Sequence, residues 1–168
     1  HEERVFRHLS QLPNDWKLLW GYYYEDESGN KREGDFLVLN PEGSLLIIEV
    51  KGCERLHVNK SGCWTGDYDS PFSQLDAQYG AIKKVLDGGN SDVPYLKIGR
   101  ALAVPNIRRK DVLNLPTVSQ CGAMILTQED LSDRKTLLEA WKRPFSKSTP
   151  KQDSCQRFDD SPWGKGFS

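Results

Sequence analysis

Residues 34–39 and 44–51 form two apolar runs joined by a short turn. Because strand side chains alternate between faces, Glu49 and Lys51 share one face of the second run. That run is otherwise apolar on both faces, which is typical of a central strand that is covered on both sides. A carboxylate there is costly to bury unless a cation pairs with it or a metal binds it. Asp35, in the first run, adds a second carboxylate, so the hairpin predicts a site that needs a cation.

The charged residues of this hairpin also have interpretations that involve no chemistry. Glu49 and Lys51 suit a structural ion pair between same-face neighbours on a strand. Asp35 suits a turn residue that leads into its strand. The apolar surroundings of Glu49, together with the second carboxylate, favour a cation-binding site over these alternatives.

The size and charge of the chain bound its organisation. It has 168 residues, a formal net charge of −1 and a pI of about 6.4. The length suits one domain, which we place at residues 1–143, followed by a Ser- and Pro-rich tail or linker at 144–168. With this charge, a nucleic-acid partner needs a local basic patch. No stretch approaches the roughly 20 apolar residues of a membrane span, so we expect no membrane partner. The use of cysteine, described next, leads us to expect a cytoplasmic protein.

The residues that usually bind zinc or form disulfides show no organised pattern. The four cysteines lack the spacing of metal ligands, and we interpret them as reduced thiols. The histidines His1, His8 and His57 are not spaced as ligands either. These residues are therefore not candidates for the chemistry of the site.

Hydrophobic periodicity gives a coarse order of elements. It predicts a helix, three strands, a small projecting hairpin, a second helix, two strands and a last helix. Their predicted bounds are 2–12, 16–24, 34–39, 44–51, 56–65, 70–86, 98–104, 122–127 and 127–141. This order predicts an α/β fold with a mixed central sheet and helices on both faces. The early hairpins are expected to be antiparallel, and the strands after the second helix parallel.

Polar side chains on the two predicted helices point towards the hairpin. Glu2 lies on the inward side of the first helix with Val5, although it also suits a solvated residue that the helix dipole favours. On the second helix, Gln74 and Gln78 lie one turn apart beside the apolar stripe. Helical phase places Gln78 closer to that stripe, and Gln74 also suits an ordinary polar residue of the first turn.

Together these features resemble the PD-(D/E)XK nuclease superfamily and, more narrowly, the nuclease-related domain (NERD) family. The matching parts are Glu2 with Val5 and Leu9, residues 33–38, residues 46–52, the hairpin Ser61-Gly62-Cys63-Trp64, and residues 70–74. A lone Glu-X-Lys triplet is a weak signal, but five parts in this order are a strong one. The chain departs from the family at His1, where glycine is usual, and at Ser70, where asparagine is common. Neither position carries candidate chemistry.

The resemblance implies a restriction-endonuclease-like core in αβββαβ order and a metal-dependent nuclease that hydrolyses DNA. It implies Mg²⁺ or Mn²⁺ as the cofactor, with Asp35, Glu49, the carbonyl of Val50 and Glu2 as ligands. Hard cations of this kind prefer oxygen ligands and activate water for phosphodiester hydrolysis.

The resemblance also implies that Lys51 and Gln74 complete the catalytic set with Asp35, Glu49 and Glu2. Lys51 would orient the attacking water or stabilise developing negative charge. Gln74, which the family pattern favours over Gln78, would position Lys51 or the water.

Contacts to DNA and the alternative functions are less specific in sequence. The candidate nucleic-acid-binding residues are basic side chains and one aromatic: Lys60, Trp64, Arg108, Arg109 and Lys110. The alternative to a nuclease is a non-catalytic DNA-binding module that keeps the nuclease fold and serves a fused or partner helicase or kinase. A protein-interaction domain with no nucleic acid is a third hypothesis.

Overall fold

The computed structural model describes residues 1–59, 64–66, 69–87, 97–113 and 123–141. These ranges contain five helices and five strands. In chain order they are α1 (Glu2–Leu9), β1 (Lys17–Glu25), β2 (Lys31–Leu39), β3 (Ser44–Val50), α2 (Pro71–Asp87), β4 (Lys97–Ala103), α3 (Arg109–Leu113), β5 (Met124–Leu126), α4 (Gln128–Ser132) and α5 (Arg134–Trp141).

The strands form one mixed sheet in the order β1-β2-β3-β4-β5. The pairs β1–β2 and β2–β3 are antiparallel, whereas β3–β4 and β4–β5 are parallel. The parallel pairing follows because α2 returns the chain across the sheet before β4 begins. The predicted α/β fold with its αβββαβ order is confirmed, and the sheet changes from antiparallel to parallel at β3, the strand that carries Glu49.

Helices cover both faces of the sheet. One face packs against α2 through a core that includes Ile47, Leu75 and Ile82. The other packs against α1 and the C-terminal helices through a core that includes Val5 and Ile48. Every residue of β3 is buried as a result, which explains why this strand is apolar on both faces.

Strand β1 changes its facing at Gly21, whose φ of 76° lies in the left-handed region. Leu19 and Tyr22 are three residues apart and would face opposite sides of a regular strand. Both nevertheless lie in the core on the α2 side of the sheet. Glycine adopts the left-handed conformation without the steric penalty of a Cβ atom. Gly21 therefore allows the chain to direct Tyr22 towards α2.

The C-terminal helical region differs from the prediction. The prediction of a single helix at 127–141 is wrong. Asp133 has extended backbone (φ −131°, ψ 127°) and separates α4 from α5. The Asp133 carboxylate accepts hydrogen bonds from the Lys135 backbone N–H at 3.2 Å and from the Thr136 hydroxyl at 3.0 Å. Asp133 thus caps α5, a role that aspartate performs well.

Smaller differences concern element bounds. The first helix ends at Leu9 rather than at residue 12, and residues 109–113 form the short helix α3 where a loop was expected. The last predicted strand is shortened to β5. Of the projecting hairpin, the structure describes an antiparallel bridge between Val58 and Trp64.

Some predictions fall outside the described residues. The tail at 144–168, Lys60 and the turn at 61–63 lie there. Among the helices that the structure does describe, none combines the length and the apolar character needed to cross a membrane.

Candidate active site

The candidate site lies at the carboxyl end of β3. Glu49 is 7% exposed and faces α2, on the same side of the strand as Ile47. The ammonium Nζ of Lys51 lies 3.6 Å from Glu49 Oε1, and the Lys51 backbone N–H donates to the Ala103 carbonyl at 3.0 Å. The parallel pairing with β4 therefore continues one residue beyond β3 and holds Lys51 beside Glu49.

Asp35 is held against β3 by a backbone hydrogen bond. Its Oδ2 accepts from the Val50 N–H at 2.7 Å. Burial raises the pKa of Asp35 to about 8, and a hydrogen bond with the Glu2 carboxyl and the negative charge of Glu49 act in the same direction. In the metal-free protein this shift favours the protonated form of the Asp35 carboxyl. The structure thus places Asp35 beside Glu2 and near Glu49, and a shared catalytic role for the three carboxylates stays a prediction.

Glu49 experiences opposing influences. Burial raises its pKa, whereas the Gln78 amide and the Lys51 ammonium lower it. Gln78 Nε2 donates to Glu49 Oε2 at 2.8 Å. On the far side of the amide, the Tyr22 hydroxyl donates to Gln78 Oε1 in a short hydrogen bond. Two consecutive hydrogen bonds therefore connect Tyr22 through Gln78 to Glu49.

The two glutamines of α2 have different surroundings. Gln78 is 1% exposed and contacts Glu49 directly. Gln74 lies one turn nearer the start of α2, where its Oε1 is buried without a hydrogen-bond partner. Helical phase had pointed to Gln78 and the family pattern to Gln74, and the structure places Gln78 on the carboxylate. A catalytic role for Gln74 stays a prediction, and its unpartnered oxygen faces no described donor.

Asn106 joins three segments of the chain next to the site. No sequence pattern had made it a candidate. Its Nδ2 donates to the Gly52 carbonyl at 2.9 Å, and its Oδ1 accepts from the Arg4 guanidinium at 2.8 Å. Asn106 thus ties α1, which carries Glu2, to the loop after β3. The available signal was its place after a parallel strand, where the carboxyl ends of such strands gather functional loops.

Tyr22 is the second residue that sequence reasoning missed. It lies on β1, far from the recognised motifs, and its alternation with Tyr23 and Tyr24 gave no indication of which ring reaches the site. The positive φ of Gly21 decides this. Gly34 also makes room, because a Cβ atom at that position would lie 2.3 Å from a ring carbon of Tyr22.

The predicted nucleic-acid-binding residues that the structure describes differ in their contacts. Arg108 and Lys110 are exposed. The Arg109 guanidinium instead donates to the buried carboxylate of Asp130 at 2.8 Å, which links α3 to α4. Trp64 is half-buried and packs its ring edge-on to His57 at a centroid distance of 5.9 Å. A DNA contact for these residues stays a prediction.

The donor set fits a hard cation that takes oxygen ligands. Glu49 is buried and Asp35 half-buried, the pKa of each carboxyl is raised, and the ion pair that the structure shows is between Glu49 and Lys51. Among the described residues, no three His, Cys, Asp or Glu side chains are grouped closely enough to hold a metal ion by themselves. Two carboxylates completed by a backbone carbonyl and waters match the coordination habits of Mg²⁺. Glu2 as a direct ligand stays a prediction.

Comparison with known proteins gives one finding. A family model described as the nuclease-related domain matches residues 1–105, a range that contains Glu2, Asp35, Glu49, Lys51 and both glutamines of α2. A search among curated proteins gives no match.

Proposed function

The chain belongs to the nuclease-related domain family, and from that premise we propose that its site hydrolyses DNA phosphodiester bonds with Mg²⁺ or Mn²⁺. One observation carries the proposal: at the carboxyl end of a central strand, buried Glu49 and half-buried Asp35 supply two carboxylates, while the ion pair that the structure shows there joins Lys51 to Glu49. Burying a carboxylate costs on the order of several kcal/mol unless a cation offsets the charge.

Each residue of the candidate site has a distinct part in the proposed reaction. Asp35 and Glu49, with the Val50 carbonyl, would hold the cation, and Glu2 would extend that oxygen set. When bound, the cation supplies charge neutralisation at the phosphate and makes a water more nucleophilic. Lys51 places a positive charge beside Glu49 and stabilises negative charge that develops during hydrolysis. Gln78 holds Glu49 in place by donating to its Oε2.

The proposal is tested with the purified chain and several substrates of one sequence. These are single-stranded, duplex, nicked and flapped DNA, and single-stranded RNA. We expect cleavage of DNA with Mg²⁺ or Mn²⁺, and none with EDTA. Salt-dependent DNA binding without turnover would instead identify a binding module that serves a fused or partner helicase or kinase. No binding to any nucleic acid would favour a protein-interaction domain.

The raised pKa of Asp35 predicts how the stability of the metal-free domain depends on pH. The pKa is about 8 in the folded protein and about 3.9 in the unfolded chain. Between these values the folded state binds more protons, so its stability falls as the pH rises from about 4 to about 8. We therefore expect the Tm in EDTA to decrease across this range. A metal that binds the deprotonated carboxylates should raise the Tm more at pH 8.5 than at pH 5.5.

The control for this experiment is Asp35→Asn. The amide can still accept a hydrogen bond from the Val50 N–H, but it does not titrate. The variant removes the titration of Asp35 together with its coupling to Glu49, so the difference between the two Tm profiles reports this pair. Parallel profiles for the wild type and the variant would refute the assignment.

A further inference from the structure

Tyr22 has no place in the proposed reaction, yet its hydroxyl reaches the site. Its side chain is 3% exposed, and its ring lies against Gly34 on β2. The hydroxyl donates to Gln78 Oε1, and Gln78 Nε2 donates to Glu49 Oε2. Three buried polar groups from β1, α2 and β3 thus form one continuous chain of hydrogen bonds.

The donor and acceptor inventory fixes the direction of this chain. An ionised carboxylate only accepts hydrogen bonds, so Gln78 must turn its NH₂ group towards Glu49. The amide oxygen then faces the opposite way and, being buried, needs a donor of its own. Burial, followed by the negative charge of Glu49, raises the pKa of Tyr22 well above its ordinary value. The Tyr22 hydroxyl therefore keeps its proton and supplies that donor.

We infer that Tyr22 is a positioning residue that holds the Gln78 amide and, through it, the orientation of the Glu49 carboxylate. The inference rests on the proposed function, because it names what orients a residue of that same site. Gln78 binds Oε2 of Glu49. The other oxygen, Oε1, therefore faces Lys51 and lies 3.6 Å from its Nζ. Removing the Tyr22 hydroxyl would leave Gln78 Oε1 buried without a donor, and the amide would turn or shift to find one.

The direct test observes Gln78 and needs neither metal nor activity. In the wild type, the Gln78 Nε2 protons should exchange slowly with D₂O in NMR spectra, because both sides of the amide are held. Tyr22→Phe removes only the hydroxyl and should accelerate that exchange. Tyr24→Phe is the matched control, since Tyr24 is also buried and lies on the same side of the same strand. Unchanged exchange in Tyr22→Phe, or equal acceleration in both variants, would overturn the inference.

A second measurement covers the case in which Tyr22→Phe fails to fold. Wild-type protein with tyrosine labelled at Cζ is observed in a mixture of H₂O and D₂O. A hydroxyl proton held in the chain exchanges slowly and gives two resolved Cζ signals for Tyr22. A single averaged signal for Tyr22 would refute the hydrogen bond on which the inference depends.

Kinetics then separates positioning from packing. We expect Tyr22→Phe to lower kcat about fivefold to tenfold with little change in KM, as loss of one hydrogen bond in a charged network would do. The double variant Tyr22→Phe/Gln78→Leu should lose no more activity than Gln78→Leu alone, because Tyr22 acts through Gln78. Additive losses would contradict the inference. An inert wild type would refute the proposed function, while the exchange measurements would still decide the role of Tyr22.

Discussion

Glu49→Gln is expected to lower the proposed metal-dependent DNA cleavage at least about a hundredfold while leaving the fold intact or more stable. The amide keeps the shape of the side chain but removes the negative charge that a cation would need. Glu49 is 7% exposed and its pKa is raised mainly by burial. Replacing this costly buried charge by a neutral group therefore relieves a destabilising term. Activity and stability are expected to change in opposite directions.

The measurements are cleavage rates with saturating Mn²⁺, Mn²⁺ affinity by calorimetry, and Tm in EDTA. Glu42→Gln is the matched control, because Glu42 lies in the turn of the same hairpin and is exposed. It should leave all three quantities near the wild-type values. If Glu49→Gln kept more than about a tenth of the wild-type rate, Glu49 would not be a ligand of the catalytic cation.

Gly34→Ala is expected to destabilise the domain by about 1–3 kcal/mol, the usual cost of overpacking a core. The added Cβ would lie 2.3 Å from a ring carbon of Tyr22 and 2.5 Å from its hydroxyl oxygen. Tyr22 is buried, so it cannot move aside without disturbing its hydrogen bond to Gln78. The variant should therefore lose both stability and the orientation of Glu49, whose position depends on that bond.

Gly80→Ala is the control for the effect of adding a methyl group. Gly80 lies within α2, and a Cβ atom there would meet no atom within 4 Å. Alanine in an exposed helical position is more stable than glycine by roughly 0.5–1 kcal/mol. Chemical denaturation of the two variants should therefore give free energies of unfolding on opposite sides of the wild type. A neutral Gly34→Ala would show that the Tyr22 ring is not held against β2.

Much of the fold was predictable because hydrophobic periodicity is a local property. The order of the elements through β4 and the mixed sheet were confirmed, and Glu49 lies buried as its apolar run predicted. The prediction failed at 127–141, where the apolar pattern continues but the Asp133 side chain caps a new helix. Periodicity reports which face is buried and does not report where the backbone hydrogen bonds stop.

For the candidate site, too, some residues could be predicted from the sequence and others could not. The sequence alone made Asp35, Glu49 and Lys51 candidates, because charges set into apolar strands are conspicuous, and it placed Glu2 on the same side of α1 as Val5. It left Gln74 and Gln78 as alternatives, since one helical turn separates them and both lie beside the apolar stripe. Only the packing of α2 on the sheet decided that Gln78 reaches Glu49.

Tertiary structure alone revealed Tyr22 and Asn106. Tyr22 reaches the site because Gly21 reverses the facing of β1 and Gly34 leaves space for the ring. Asn106 ties α1 to the loop after β3 through bonds that span 54 and 102 residues of sequence. The sequence thus determined which side chains carry charge into the core. Tertiary structure decided which neutral side chains hold those charges, because hydrogen-bond partners depend on distances across the fold and not on spacing along the chain.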